Sequence, residues 1–533
     1  MTNAGPISER GSSPLPSCKA SRMGRRVDEL VQEIPGATLV AGDPATFVTG
    51  VHHDSRRIEK GHAFIARPGL RTHGEKFVVD AIGRGASVVI APRGSSAPMP
   101  GTVWIETDDA AKALAFASAA VYGHPTFSLE AVGITGTNGK TTTSHLVHAC
   151  IAACGGQPGL VGTLGYRFGD LDLPATHTSP EADELARIAA AMLARGATHL
   201  VMEVSSIALA AARVEAVRFR TVAMTNLTQD HLDYHGTMEA YAEAKARLFI
   251  DLGPGAAAIN VDDPFGQDLV RRVAPQGLSG PTSATLLRYS ANPNIAAKDA
   301  DVVPTVVRHT PAGISLEVRT PGGKLNIESP LVGGHNVQNL LAAISIAHLL
   351  DLDLRKAADA LSKPIPVAGR LERCDDPTKD DVIVLVDYAH TPDALARVLD
   401  SVRAYGQGRI FCVFGCGGDR DPKKRPLMGE AVGRSADVAL VTNDNPRSED
   451  PLTIIDAILP GLSGSNARVI VEPDRAKAIE RAVLEAAPGD IVLVAGKGHE
   501  PYQIIGSITL AFDDRIESRK ALELRRAAPK GQG

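Results

Sequence analysis

The stretch Leu129–Cys150 reads LEAVGITGTNGKTTTSHLVHAC. Its opening, AVGIT (Ala131–Thr135), is a short apolar run suited to a buried strand, and its close has helical spacing. A glycine turn, Gly136–Gly139, joins the two. Strand, glycine turn and helix in this order bring backbone N–H groups and the positive end of a helix dipole to one point, which suits phosphate. Gly136 and Gly139 let the backbone approach phosphate oxygens, with Thr137 and Asn138 between them. Lys140 can reach the β- and γ-phosphates, and the hydroxyl of Thr141, ahead of Thr142, suits Mg²⁺. The general phosphate-loop pattern would put glycine at position 134, where this chain has Ile134, so the loop is a variant. An ordinary Gly/Asn turn is the alternative reading; Gly-Lys-Thr in this context favours ATP with Mg²⁺.

Outward from this stretch the pattern continues to alternate. THLVMEV, TVAMTNL and GAAAIN read as further strands, and Val302–Glu328 is β-rich. After the proline-rich linker Lys363–Gly369, VIVLVDYAH, RIFCVFG, DVALVTN, ARVIVE and DIVLVAG are continuous apolar runs, as expected of a parallel sheet covered on both faces. Upstream, VDELVQEI has helical periodicity, while ASVVIAP and TVWIET read as short strands. The expected organisation is three α/β domains, at 25–124, 125–366 and 367–528, behind a disordered extension at 1–24 rich in Ser, Pro and Gly.

Composition narrows the function. With 56 basic and 61 acidic residues among 533, the formal charge is −5, which argues against a protein that coats nucleic acid. Aromatics are only 4%, which disfavours base- or sugar-stacking platforms. The six cysteines lack a zinc-site spacing and read as free thiols of a reducing cytoplasm. No apolar run is long enough to span a membrane, and the N-terminus lacks the apolar core of a secretory signal.

Two segments add chemistry to the loop. Glu203 ends the strand THLVMEV, and a carboxylate at a strand's C-terminal end beside a phosphate loop is well placed for Mg²⁺. Thr225–Phe249, TNLTQDHLDYHGTMEAYAEAKARLF, gathers Asp230, His231, Asp233 and His235. Read alone, it is a polar loop before an amphipathic helix.

Together these motifs resemble the Mur ligase family, ATP-dependent amide ligases of peptidoglycan precursor synthesis. The resemblance rests on GTNGKTT, on NL..DHLDYHG....Y..AK..LF, on GGHNVQN (Gly333–Asn339), on GRLER (Gly369–Arg373) and on VDYAHTPDAL (Val386–Leu395), and it spans about Asp28 to Arg515. It implies a central P-loop ATPase-like parallel sheet, a Rossmann-like C-terminal domain and a small α/β N-terminal UDP-binding domain. It implies that His231 helps hold a second Mg²⁺ and that Lys245 is carbamylated, becoming an anion that can lie beside metal and phosphate. Asn336 and Asn339 would lie near adenine, Arg370 would reach the ATP phosphates, and Asp387 would face the ribose. Catalysis would rest on Lys140, Lys245, His231 and Arg370, and would need the domains to close.

The resemblance also assigns substrate contacts. Ser55, Thr178, Ser179, Ser205 and Arg213 match residues that contact the UDP-muramyl-peptide. Two positions depart from the family pattern: Ile207 stands where a histidine is usual, and Ala211 where glutamine is frequent. Asp444, Asn445, Pro446 and Arg447 form a D-N-P-R resembling that of members which add meso-2,6-diaminopimelate; Arg420, Gly496 and Glu500 match further contacts. The chemistry fits, because diaminopimelate carries one carboxylate more than lysine and a guanidinium pairs with a carboxylate through two parallel hydrogen bonds. The expected enzyme is a cytoplasmic monomer acting on small molecules. The alternatives are a ligase adding lysine or another diamine, a folylpolyglutamate synthase, and a non-catalytic nucleotide-binding regulator.

Overall fold

Glu130–Thr135 lies inside an eight-stranded sheet, flanked by parallel His199–Glu203 and Phe219–Met224. The sheet continues in parallel through Ala256–Asn260 and Thr285–Tyr289 on one side and Pro158–Gly162 on the other, where antiparallel Gly165–Phe168 and Leu171–Leu173 finish the edge. These strands are almost wholly buried because both faces are covered. Helices Lys140–Ala153 and His335–Leu349 close one face over Val132, Ile134, Leu146, Leu340 and Ile344. Helices Ala182–Ala194 and Met238–Ile250 close the other over Met192, Met202, Met224 and Phe249. A three-stranded antiparallel sheet, Val303–Ser329, packs beside the first core. The computed structural model describes residues 24–69, 73–95, 98–273, 285–296, 298–310, 313–365, 367–403 and 408–527. Residues 1–23, nearly all of the expected N-terminal extension and including Cys18, lie outside the described residues, as do Pro366 and 528–533.

Two further sheets flank the central one. Toward the N-terminus, Thr38–Ala41, Val103–Thr107, Val88–Pro92, His62–Ile65 and Gly50–His52 form a five-stranded sheet, parallel except at Thr38–Ala41. Toward the C-terminus, the five apolar runs form parallel strands in the order Ile383–Asp387, Ile491–Ala495, Ile410–Phe414, Val438–Val441, Arg468–Val471, with the antiparallel pair Glu372–Arg373 at one edge. The three units are therefore α/β, as the alternating pattern requires. In an open parallel sheet, ligands gather beyond the carboxyl ends of the strands. Here those ends carry Gly136, Glu203 and Asn226 in the central unit, and Tyr388, Thr442 and Gly496 in the C-terminal one.

Among the described residues, no helix is long and apolar enough to cross a membrane. Cys150, Cys154, Cys374, Cys412 and Cys416 are unpaired thiols.

Candidate active site

A cavity of about 250 Å³ opens where the central and C-terminal units face each other. Thr137–Thr142, Thr178, Glu203 and Asp230–His231 line it from the central sheet, Asn336 and Asn339 from the His335–Leu349 helix, and Arg370, Asp387 and Tyr388 from the C-terminal unit.

The loop requires glycine at two positions for steric reasons. Gly136 has φ +146°, and a Cβ there would lie 1.8 Å from Thr225 Oγ1. Gly139 has φ +84°, and its Cβ would lie 2.4 Å from Asn339 Oδ1. The segment Thr225–Asn226 grips the loop from the next strand. Thr137 N donates to Asn226 O at 2.8 Å, Asn138 N to Asn226 Oδ1 at 2.9 Å, and Thr225 Oγ1 to Asn138 O at 2.7 Å. Sequence reasoning missed this grip, although TNL directly follows an apolar strand, which could have signalled it.

Lys140 Nζ donates to the carbonyls of Gly136 and Thr137 at 2.9 and 2.8 Å. Thr141 Oγ1 donates to Glu203 Oε2 at 2.9 Å. Glu203 is buried, and the other bonds to its carboxylate come from Thr163, N to Oε1 at 2.8 Å and Oγ1 to Oε2 at 3.2 Å. Thr163, unmarked in the sequence, thus orients the candidate metal carboxylate. The hydroxyl and carboxylate are hard oxygen donors beside a phosphate loop, a set that fits Mg²⁺. Among the described residues, no group of three or more His, Cys, Asp or Glu side chains forms a metal cluster by itself.

Lys245 is buried on the Met238–Ile250 helix, and its Nζ donates to Gly136 O at 2.9 Å, the same carbonyl that Lys140 uses. Burial and the neighbouring Lys140 hold the Lys245 amine well below the ordinary lysine range. Two ammonium groups cannot comfortably share one carbonyl in a dry site. Both effects disfavour the ammonium form of Lys245, and the neutral amine is the form that reacts with CO₂. His231 stands in the left-handed region, φ +52°, at the start of Leu232–His235, with Nε2 3.6 Å from Asp230 Oδ2.

On the opposite wall, Asn339 Nδ2 donates to Asn336 Oδ1 at 2.7 Å, Asn336 Nδ2 to Val332 O at 2.6 Å, and Thr143 Oγ1 to Asn339 Oδ1 at 3.3 Å. Arg370 reaches across the cleft, its Nη2 donating to Thr141 Oγ1 at 3.3 Å. Its guanidinium stacks 4.8 Å from the centre of the Tyr388 ring, and its Nε is buried without a partner. Asp387 is buried, and its two oxygens accept from the backbone N–H of Leu371 at 2.7 Å and of Ala389 at 2.8 Å. Asp387 therefore anchors the Arg370 segment as well as lining the cleft. Gly369, φ +65°, makes the segment possible, since a Cβ there would lie 2.2 Å from Gly498 C and 2.3 Å from His499 N.

The muramyl-peptide candidates gather at the seam of the N-terminal and central units. Ser179 is fully buried; its Oγ donates to Glu203 O at 2.9 Å and lies 3.3 Å from Ser205 Oγ. Thr178 Oγ1 lies 3.1 Å from Thr163 Oγ1 and so touches the cleft. Arg213 donates to Ser179 O at 3.0 Å and pairs with Glu181 at 2.7 Å; its Nε is buried without a partner. Ile207 lies in the short helix Ser206–Ala210 and Ala211 directly after it, both half-buried, and the nearby imidazole is His235, whose Nε2 lies 3.0 Å from Ser206 Oγ. Ser55 is buried on the N-terminal unit, in a turn capped by Asp54. Two pins that the sequence did not reveal hold the seam. Arg67 meets Glu181 at 2.9 Å, and the Nδ1 atoms of His52 and His53 each lie 3.1 Å from Asp183. Burial alone would raise the Asp183 carboxyl, but the hydrogen bonds from the two histidines hold it well below the usual carboxylate range.

The amino-acid candidates meet in the C-terminal unit. Arg447, φ +51°, donates through Nη1 to Gly418 O at 2.8 Å and to Asn445 O at 3.5 Å. Asn445 Nδ2 donates to Glu500 Oε2 at 2.9 Å. Gly496, φ +119°, leaves room for Asp444, whose Oδ2 would lie 2.6 Å from a Cβ there. Pro446 is buried behind Gly418. Arg420 is exposed at the rim, and a Cβ on Gly417 would meet both Arg447 Nη1 at 2.9 Å and Arg420 Cγ at 3.8 Å. Sequence reasoning missed Lys497, which is fully buried in this cluster.

Comparison with known proteins identifies the family. The description "Mur ligase middle domain" matches residues 134–347, "Mur ligase, glutamate ligase domain" 369–498, and "Mur ligase family, catalytic domain" 47–122. The chain is 42% identical to the UDP-N-acetylmuramoyl-L-alanyl-D-glutamate–2,6-diaminopimelate ligase of Geobacter metallireducens, over 95% of this chain and 100% of that one. It is 43% identical to the ligase of the same name from Trichormus variabilis, over 90% of this chain and 95% of the relative. A solved structure of a ligase of that name superimposes with a TM-score of 0.68 at 34% identity, covering 94% of this chain and 99% of that one. Folylpolyglutamate synthase of Mycobacterium tuberculosis shares the fold, with a TM-score of 0.57 at 18% identity over 71% of this chain and 91% of its own.

Proposed function

The chain belongs to the Mur ligase family, and from that premise we propose that it joins meso-2,6-diaminopimelate to UDP-N-acetylmuramoyl-L-alanyl-D-glutamate at the expense of ATP. The observation that carries the reading is the meeting of the amine-recognition cluster around Arg447 and the phosphate loop in one chain whose Arg370 bridges the two units.

The D-glutamate side-chain carboxylate attacks the γ-phosphorus, ADP departs, and an acyl phosphate forms. The diaminopimelate amine then attacks the acyl carbon; the nitrogen gives up a proton and inorganic phosphate leaves, so the amide is the product. Lys140 and Arg370 face the transferring phosphoryl group from opposite walls and offset its charge, the positioning that phosphoryl transfer demands. Thr178, Ser205 and Arg213 support the muramyl-peptide from the seam, and Ser179 fixes the strand end that carries Glu203. Asn336 and Asn339 orient the base, and Asp387 keeps Arg370 in place. Thr141, Glu203, His231 and a carbamylated Lys245 would hold Mg²⁺, which neutralises phosphate charge when bound. The reading takes the enzyme to be a monomer that acts on small molecules in the cytoplasm.

Phosphate release from ATP in the presence of the UDP-muramyl-dipeptide, with meso-diaminopimelate against L-lysine, tests the reading. A strong preference for diaminopimelate, lost in Arg447→Ala, is expected. Equal use of both amines would remove the arginine's role, and release with neither would end the ligase reading.

A further inference from the structure

Lys497 has no part in the chemistry above, yet it is one of the largest fully buried side chains in the molecule. Its Nζ donates to Asn445 Oδ1 at 3.1 Å and to Glu500 Oε2 at 3.5 Å, and stands 4.0 Å from Asp444 Oδ1. All three neighbours are acceptors, the surroundings of an ammonium with its three N–H groups. Burying a charge without a partner is strongly unfavourable, so a lysine here is costly unless its charge is used.

Two effects follow from its position. Asn445 Oδ1 accepts from both Lys497 and the Ile504 N–H, at 3.1 and 2.9 Å, so the amide cannot flip and its Nδ2 must face Glu500. Glu500 is then held through Oε2 alone, and its Oε1 bonds to no described residue. The second effect is charge. Asp444 and Glu500 supply two negative groups, and Lys497 and Arg447 two positive ones. The adjacent Arg475 is closed off by Asp514 in a fully buried two-bond pair. At the rim, exposed Arg420 has exposed Asp419 beside it.

We propose that Lys497 is a specificity-determining positioning residue that makes the amino-acid pocket electrically neutral, so that it takes a zwitterionic end in preference to a lone ammonium. This deepens the ligase reading and rests on it. The end of meso-diaminopimelate distal to the reacting amine carries one ammonium and one carboxylate, which match Glu500 and Arg447. The same end of L-lysine carries the ammonium alone. Without Lys497 the pocket has one surplus negative charge, which suits L-lysine better than the zwitterion.

The test measures kcat and KM for both amines at saturating ATP and UDP-muramyl-dipeptide, in the wild type, Lys497→Met and Lys497→Arg. In Lys497→Met the KM for meso-diaminopimelate is expected to rise about a hundredfold with little change in kcat, as loss of a buried charge partner implies. The L-lysine to meso-diaminopimelate ratio of kcat/KM should rise at least about tenfold, and Lys497→Arg should keep the wild-type preference. An equal loss for both amines, or a fall in kcat at unchanged amine KM, would overturn the proposal. Wild-type turnover of neither amine would instead overturn the ligase reading, without reference to any variant. Should Lys497→Met fail to fold, Glu500→Gln supplies the opposite charge change: it should depress L-lysine use more than meso-diaminopimelate use, and equal depression would sink the idea.

Discussion

At the scale of single residues, the cleft depends on two lysines that share the Gly136 carbonyl. Lys140→Ala removes the cation proposed to face the phosphoryl group, and ATP-dependent amide formation should fall about a hundredfold to a thousandfold, the scale seen when a preorganised group is deleted. Near-normal turnover in a steady-state assay would defeat the phosphate-loop assignment. Lys245→Ala should also be nearly inactive, for a different reason: the carbamate proposed above would be lost from beside the phosphates. Short carboxylic acids in the buffer should then restore part of the rate, while leaving Lys140→Ala unaffected. Mass spectrometry of the native protein in bicarbonate should find the added mass of one CO₂ on Lys245, and its absence would count against carbamylation. The two lysines differ in how far residue patterns disclose them. Lys140 sits in a strand–turn–helix context with its own chemistry. Lys245 lies in AEAKARLF, which on its own reads as an ordinary amphipathic helix, and only family resemblance singled it out. Glu203 was legible because it closes an apolar strand in a chain that also carries a phosphate loop. Thr163, which orients it, was not, since a threonine between strands has no distinguishing neighbour.

Among the elements, the phosphate loop and the last helix are the most exposed to single substitutions. Gly136→Ala would force a Cβ to within 1.8 Å of Thr225 Oγ1 at φ +146°. Backbone strain of this kind costs about 1–3 kcal/mol before the clash is counted. ATP binding, measured by calorimetry, should be lost while the far-UV spectrum is retained; unchanged affinity would show the loop to be pliant. Asp514 starts the helix Asp514–Ala527 and pairs with Arg475, both at 0% exposure. Asp514→Ala leaves a buried guanidinium without its partner and should destabilise the C-terminal unit by about 3–5 kcal/mol, read as a lower denaturation midpoint. A change below about 1 kcal/mol would mean that water reaches Arg475. The strands themselves were readable from their apolar runs and glycine turns. The pairings that lock elements together were not. His52 and His53 meet Asp183 across about 130 positions of chain, and Arg475 meets Asp514 across 39, distances at which no local pattern couples two residues.

For the molecule as a whole, the central and C-terminal units meet partly through His335, whose Nδ1 lies 3.1 Å from Ser401 Oγ. Burial, with Arg397 close by, drives the His335 imidazole down from 6.5 to about 4. The folded state thus favours the neutral ring. Its contribution is complete above the ordinary histidine value and is lost as pH falls toward 4, because the unfolded chain takes up the proton first. The thermal midpoint should therefore drop between about pH 7 and pH 4.5, and drop less in His335→Asn; identical profiles would remove His335 from the seam. A second feature of this region has a kinetic meaning. Gly369 packs directly on Gly498 and His499, so the backbone carrying Arg370 and the backbone carrying Glu500 are in close contact. On the proposed roles of Arg370 and Glu500, withdrawal of the arginine would also withdraw the amine pocket and gear the acylating and aminolysing halves of the reaction together. A reactive acyl phosphate is then exposed to its nucleophile rather than to water, and fuel is not burned idly. Loosening that gear with Gly369→Ala should push the ratio of phosphate released to amide formed above unity, and a ratio still at unity would show that some other part of the molecule keeps the two halves in step.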